Sequence, residues 1–298
     1  LLSEEKPFFN RALRGRYPPA SSIKPAIAMY GIEEGLIDWN FSIFDEGFFT
    51  LPEDGRIYRD WKEGGHGDTN LFKAITQSSN TYFFDLAYRS DINQLNKHLS
   101  SLGFGNKACI DCFEEDQVFV PEPSWKINKH NFGWFKGDTV NMGVGQGYLV
   151  STPIQLAKYA YIMANKGKFS DLSLKKDLVK SEKSIEFNKF SNDDWFKLHE
   201  SMVNVIEGNT GTARRLRERK NYIVAAKTGT AELVSGDNRE QYSETRLDDS
   251  LRDHALIIAF GPMPNPRYAV SVVVENGESG GSVAGPVAIS VLNSLIQE

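Results

Sequence analysis

"RYPPASSIKPAIAMYGIEEG", Arg16 to Gly35, decides how the rest of the chain is read. From Ile23 onward it is apolar at Ile23, Ile27 and Tyr30, the spacing of one helical face, and Gly35 is a natural stop. Pro25 limits where that helix can start. Proline has no N–H and is tolerated only in the first turn, so the spacing predicts a helix over 20–35 that begins at residue 20 to 22. Ser21 then lies in the first turn, among backbone N–H groups that no helical partner satisfies. Residues three apart share a helix face and residues two apart do not, so Ser21 meets Lys24 while Ser22 points elsewhere. A serine hydroxyl is a poor nucleophile until a base takes its proton. A lysine serves as that base when burial or a nearby cation lowers its pKa.

Alone, an S-x-x-K is a weak signal; Ser173 to Lys176 is a second one. Two further stretches sharpen it. "QSSNTYF" supplies Ser78-Ser79-Asn80 at the end of a helix, and "AAKTGTAE" supplies Lys227-Thr228-Gly229-Thr230 inside an apolar, β-branched strand. A lysine followed by a small side chain and glycine lets a ligand approach a strand edge closely. The three motifs occur in order and each lies in a suitable element.

The bulk figures bound the rest. With 298 residues, 40% hydrophobic and 24% charged, the chain can bury a sizeable core, as one large domain or two ordinary ones. Net charge is 34 − 39 = −5, which speaks against a nucleic-acid partner. No apolar run approaches the ~18 residues of a membrane span; "HALIIAFG" and "YAVSVVV" read as buried strands. The start "LLSEEK", without methionine, signal or anchor, reads as a segment of a longer protein.

Along the chain, residues 36–67 read as a long loop with short strands. "DTNLFKAITQSSN" predicts a helix capped by Asp68 that frays at the serines. "STPIQLAKYAYIMANKG" predicts a helix with a Thr152–Gln155 capping box, Pro153 at its first position and Gly167 at its close. A further helix is expected over 193–207, then three strands in "NYIVAAKTGTAEL", "DHALIIAFGPM" and "YAVSVVVENG", then a terminal helix over 283–297. The lysine-rich stretch 168–190 reads as a solvated excursion. The expected class is α+β, with the C-terminal strands in an antiparallel sheet flanked by helices. The single C-x-x-C, Cys109 and Cys112, leaves a redox pair, half a zinc site, and an incidental disulfide or coincidence open.

Taken together, the three motifs resemble the active-site set of penicillin-recognising serine transferases and hydrolases. "YRDWKEGGHG", "GDTVNMGVGQGYLVSTPIQLA" and "LRDHALIIAFGP" extend that resemblance over the whole chain, to the transpeptidase domain of the elongation-type class B penicillin-binding proteins of Gram-negative bacteria, the penicillin-binding protein 2 branch. The resemblance implies one penicillin-binding-protein/serine β-lactamase-like domain over 1–298, with an all-helical subregion. It also implies a membrane anchor and pedestal outside this chain, and a position at the periplasmic face of the inner membrane. Ser21 would attack the carbonyl between the two D-alanines of a peptidoglycan stem peptide, with Lys24 as base and Ser78 and Asn80 relaying a proton. Lys227, Thr228 and Thr230 would hold the terminal carboxylate, and the N–H groups of Ser21 and Thr230 would form the oxyanion hole beside Gly229. β-Lactams would acylate Ser21, and the glycan polymerase of the elongation complex would be a partner. Ala20 stands where the family usually has glycine.

Members of this branch also carry a structural zinc, which here would fall on Asp45, Asp60 and His66, with Ser79 where the family has cysteine. The site is then weakened, completed by water, or empty with the three residues hydrogen-bonded among themselves; catalysis itself would need no cofactor. Two rival readings share the motifs. A β-lactamase or D,D-carboxypeptidase is opposed by the lack of an E-x-x-L-N segment, since "DINQLN" has no glutamate. A non-catalytic β-lactam sensor is opposed by "YRDWKEGGHG" and "GDTVNMGVGQG", which such sensors lack.

Overall fold

The computed structural model of the chain describes residues 6–178, 181–233 and 251–296. After helix α1 (Arg11–Arg14), a 3₁₀ turn (Ala20–Ile23) runs directly into α2 (Lys24–Glu33). The expected start at residue 20 to 22 thus holds for the turn, while the α-helix proper begins at Lys24, with Pro25 in its first turn. Two short hairpin-like sheets follow: β1 (Ser42–Asp45) pairs antiparallel with β4 (Gly67–Asn70), and β2 (Phe48–Thr50) with β3 (Ile57–Arg59).

The helical part comprises α3 (Leu71–Gln77), α4 (Asn80–Arg89), α5 (Ile92–Ser101), α6 (Pro123–His130), α7 (Lys136–Gly143) and α8 (Pro153–Ala164). One expectation is corrected here. Asp68 does not cap α3: it lies in β4 opposite Phe44, and Asn70, the last strand residue, accepts the Lys73 N–H instead. Strand pairing holds 67–70 extended, so the cap falls two residues later. The helix also does not fray at the serines. Ser78 turns left-handed (φ 61°) and ends α3, and Ser79 caps α4 by accepting the Tyr82 N–H. The α8 signals read as expected, with the reciprocal Thr152–Gln155 box and a left-handed Gly167 (φ 86°).

Within the 168–190 excursion, β5 (Lys168–Phe169) pairs with β6 (Lys183–Ser184), pinned by Asp171 between Lys158 and Lys183; residues 179 and 180 lie outside the described residues. Helix α9 (Asn192–Glu207) opens on a Ser191–Asp194 capping box. A second 3₁₀ helix (Arg214–Arg219) leads to β7 (Ala225–Ala231), β8 (His254–Gly261) and β9 (Tyr268–Val274), an antiparallel sheet in that order. A π-turn (Gly280–Ala284) begins the terminal helix α10 (Gly285–Ile296); position 297 lies outside the described residues.

The middle strand explains why the sheet is covered on both faces. Strand side chains alternate. Leu256, Ile258 and Phe260 of β8 join the large core with α2, α3, α8 and α9, whereas Ala255, Ile257 and Ala259 join a second core with α10. A continuous apolar run is what such double burial demands. On β7 the same alternation sends Ala225 and Ala231 to the large core and Ala226 to the other. Lys227 is on the side of Ala225, facing the helical part. Cys109 and Cys112 form a disulfide that closes a short loop, and the Glu115 carboxylate accepts the N–H groups of Ala108 and Cys109. Ser173, of the second S-x-x-K, is tied to Asp111 in this region.

Candidate active site

Three chain segments meet at one end of β7. The 3₁₀ turn presents Ser21 half-buried at a cleft of about 1570 Å³, while Ser22 is fully buried and donates to the Pro19 carbonyl at 2.6 Å. Only Ser21 faces the cleft. Two glycines let other segments press on this turn. A Cβ at Gly229 would come within 3.2 Å of the Pro19 carbonyl oxygen and 3.3 Å of the Ser22 nitrogen, so β7 lies flush against it. At Gly145 (φ 72°) a Cβ would fall 2.2 Å from the Ala20 carbonyl oxygen, where the chain also accepts the Ala20 N–H at 2.8 Å. Ala20 itself is left-handed (φ 49°), a conformation that disfavours a Cβ.

Lys24 is completely buried. Its amine donates to the Ser78 carbonyl at 2.8 Å and to Asn80 Oδ1 at 2.7 Å, with Ser78 Oγ at 3.4 Å and the Phe83 ring beneath at 5.5 Å. Lys227, equally buried, donates to Ser78 Oγ at 2.7 Å and to the Thr228 carbonyl at 3.1 Å. Ser78 Oγ therefore lies between the two amines. The left-handed junction between α3 and α4 turns it there. Trp61 steadies that junction, its indole N–H lying 3.1 Å from the Ser78 carbonyl oxygen and 3.2 Å from that of Gln77.

Burial governs the charge of both amines. It pushes Lys24 down to about 7, against the opposing pull of Asp60 and Asp45. Burial, and then repulsion from Lys24, hold Lys227 well below the ordinary lysine range. An amine near 7 is free base for much of the neutral range. Among the described residues the Ser21 hydroxyl makes no hydrogen bond, so Lys24 is engaged with Ser78 and Asn80 rather than with Ser21.

Thr212 is a neighbour that sequence reading missed. Its hydroxyl meets that of Thr228 at 2.7 Å and both line the cleft. "GNTGTA" carried no motif signal, because the pairing arises only when the loop after α9 folds against β7. Gln146, from the stretch at 137–147, donates to the Thr230 carbonyl at 3.3 Å across the opening.

Asp45, Asp60 and His66 do come together, with ligand atoms within 4.8 Å of one another. The fit to zinc is poor. Asp45 Oδ1 accepts the Gly47 N–H at 2.8 Å, and Oδ2 takes Ser79 Oγ at 2.7 Å and His66 Nδ1 at 2.8 Å. Asp60 Oδ1 accepts Lys62 N–H at 3.2 Å; Oδ2 accepts the N–H groups of Asn80 (2.6 Å) and Thr81 (2.9 Å) and the Thr81 hydroxyl (3.2 Å). All four carboxylate oxygens, and the imidazole nitrogen facing them, already have protein partners. The fourth position holds a hydroxyl that caps α4, not one of the thiolate, imidazole or carboxylate donors of zinc sites. Burial raises the Asp45 carboxyl, but hydrogen bonds led by His66 and Ser79 outweigh it and hold that group below the usual carboxylate range. Among the described residues His66 Nε2 is buried without a hydrogen-bond partner.

Compared with known proteins, residues 3–293 match the family described as the penicillin binding protein transpeptidase domain. The chain belongs to that family. Penicillin-binding protein 2 of Pseudomonas aeruginosa, crystallised with WCK 5153, superposes with a TM-score of 0.89 at 36% identity, over 99% of this chain and 64% of that one. The Helicobacter pylori protein of the same name, in complex with MreC, gives 0.83 at 30% identity, over 97% of this chain and 52% of that one. The peptidoglycan D,D-transpeptidase MrdA of Haemophilus influenzae is 37% identical over 98% of this chain and 46% of its own length. The chain thus spans about half the length of this curated relative. The penicillin-binding protein 2 branch is the one the sequence resemblance implied.

Proposed function

We propose that this penicillin-binding protein domain is a peptidoglycan D,D-transpeptidase working through an acyl-enzyme on Ser21. The observation that carries the reading is the convergence of Lys24, Ser78, Asn80 and Lys227 beside the one serine of the turn that faces the cleft. Ser21 Oγ attacks the carbonyl carbon between the two D-alanines while its proton passes to the neutral Lys24 amine. The C–N bond then breaks, and the proton travels from Lys24 through Ser78 to the leaving D-alanine nitrogen. An acceptor amine enters from the same side, forms the new peptide bond and returns a proton to Ser21. N–H groups of Ser21 and Thr230 aimed at the carbonyl oxygen would supply oxyanion stabilisation, worth about 3 kcal/mol per donor.

Lys227, Thr228 and Thr230 suit the substrate's terminal carboxylate. Among the described residues neither buried amine forms an ion pair with a carboxylate, so an arriving carboxylate supplies the counter-charge that Lys227 lacks. No cofactor takes part in these steps. In this reading Asp45, Asp60, His66 and Ser79 form a hydrogen-bonded brace under the first turn of α4, which positions Asn80.

The disulfide suits an oxidising compartment, in keeping with the periplasmic side of the inner membrane. Among the described residues no helix is long and apolar enough to cross a membrane, so an anchor would belong to chain outside them. The reading treats 1–298 as a single catalytic domain of a longer protein. The relative bound to MreC supports a place in a multiprotein complex, and in this reading a glycan polymerase of the elongation machinery is a further partner. The test is labelling with fluorescent penicillin. Wild type is expected to form a stable adduct and Ser21→Ala none; a labelled alanine variant removes Ser21 as nucleophile. Steady turnover of nitrocefin would point to the β-lactamase reading instead.

A further inference from the structure

The wall of the cleft beyond Thr212 carries charge that the acylation chemistry leaves unused. Arg214 and Arg215 open the second 3₁₀ helix, line the cleft and are exposed. Arg217 of the same helix and Lys220 just past its end show what paired cations look like here: both reach the Glu207 carboxylate. Arg214 and Arg215 have no carboxylate partner among the described residues. The β2–β3 hairpin adds Arg56 and Arg59 to the lining, and Asp60, Glu232 and Asp253 line it as well. The lining of this cleft thus carries both signs of charge, and Arg214 and Arg215 stand on it without an ion pair among the described residues. Guanidinium groups recognise carboxylates through paired N–H donors.

The segment is also held in place. Ala213 N–H donates to the Val205 carbonyl at 2.9 Å and Gly211 N–H to that of Gly208 at 3.1 Å, fixing the loop to the end of α9. Thr212 then meets Thr228 at 2.7 Å. The two arginines accordingly start two and three residues past a contact with the strand that receives the terminal carboxylate. That carboxylate belongs to the leaving group. Because the acceptor amine attacks along the path by which the leaving amine departed, the acceptor occupies this side too.

Resting on the transpeptidase reading, we propose that Arg214 and Arg215 dock the acceptor strand, recognising the carboxylates of an acidic stem peptide. They are binding and orienting residues, with no part in proton transfer. Electrostatic docking at a rim acts through encounter and orientation and weakens as salt rises.

The experiment measures binding of a fluorescent L-Ala-γ-D-Glu-meso-diaminopimelate tripeptide to the chain, beside the same peptide with its carboxylates amidated. Wild type should prefer the acidic peptide by about tenfold at low salt, the preference shrinking as ionic strength increases. Arg214→Ser/Arg215→Ser should abolish the preference by weakening only the acidic peptide, while Arg214→Lys/Arg215→Lys retains part of it. An unfolding midpoint matching wild type shows that the serine variant is folded. Equal binding of the two peptides by wild type, or an unchanged preference in the serine variant, overturns the proposal. Penicillin labelling of wild type at Ser21 is read separately: if it fails, the transpeptidase reading falls, whatever the peptides do.

Discussion

Lys227 and Ser78, 149 positions apart, meet with Nζ and Oγ at 2.7 Å, and the same oxygen stands 3.4 Å from Lys24 Nζ. A single hydroxyl thus links two buried amines, each of which burial drives toward its neutral form. The arrangement offers a proton on Lys24 a short path across Ser78 to whatever occupies the cleft. Ser78→Ala should therefore lower the rate of β-lactam acylation by roughly 10²–10⁴-fold, the range of a lost proton-transfer group. The cost in stability should be only about 1 kcal/mol, that of one hydrogen bond. Stopped-flow acylation beside urea unfolding separates the two effects; equal losses in both would assign Ser78 a purely structural role.

With Lys24 as the base, as proposed, its titration sets the pH dependence of acylation. Its pKa is lowered to about 7, so the amine is protonated below that value and free above it. A base must be unprotonated to act, so acylation should rise with pH, about tenfold per unit below 7, and level off above it. A rate that falls through the same interval would mean that the charged form of Lys24 is the active one.

Ala20 bears on stability more than on chemistry. Its φ of 49° is costly for any residue with a Cβ, and Gly145 allows no retreat because the two backbones are in contact. Ala20→Gly relieves that strain, and the extra freedom of glycine in the unfolded chain returns part of the gain. The net expectation is a stabilisation of about 1 kcal/mol. Thermal unfolding decides it: a lower midpoint in the glycine variant would show that the turn carries no strain.

Much of this was legible before the structure, for identifiable reasons. Pro25 limits the start of α2, and i, i+3 spacing separates Ser21 from Ser22; both are local constraints that tertiary packing did not override. The β8 run read as a buried strand, and the structure covers it on both faces. Asp68 misled because a cap signal competes with strand pairing, and pairing between β1 and β4 depends on residues far off in sequence. Thr212 was invisible for the same reason: its meaning lies in Thr228. The engagement of Lys24 with Ser78 and Asn80 instead of Ser21 was also beyond spacing arguments, which give proximity and not partner.

Ser79 yields the last prediction. Its hydroxyl donates to Asp45 at 2.7 Å while accepting the Tyr82 N–H at 3.1 Å, so it does by hydrogen bonding what a ligand thiolate would do through a metal. Wild-type protein, dialysed against free ion and assayed by mass spectrometry, should hold no zinc above the buffer background. Ser79→Cys restores a thiolate beside two carboxylates and an imidazole, a complete tetrahedral set, and should take up about one zinc per chain. Because zinc then binds only the folded form, adding it at a hundredfold excess over Kd should stabilise the variant by about 2.7 kcal/mol and leave wild type unmoved. Stoichiometric zinc in wild type would instead show that Asp45, Asp60 and His66 hold the ion with water in the place of the thiolate, and that the hydrogen-bonded brace opens to admit it.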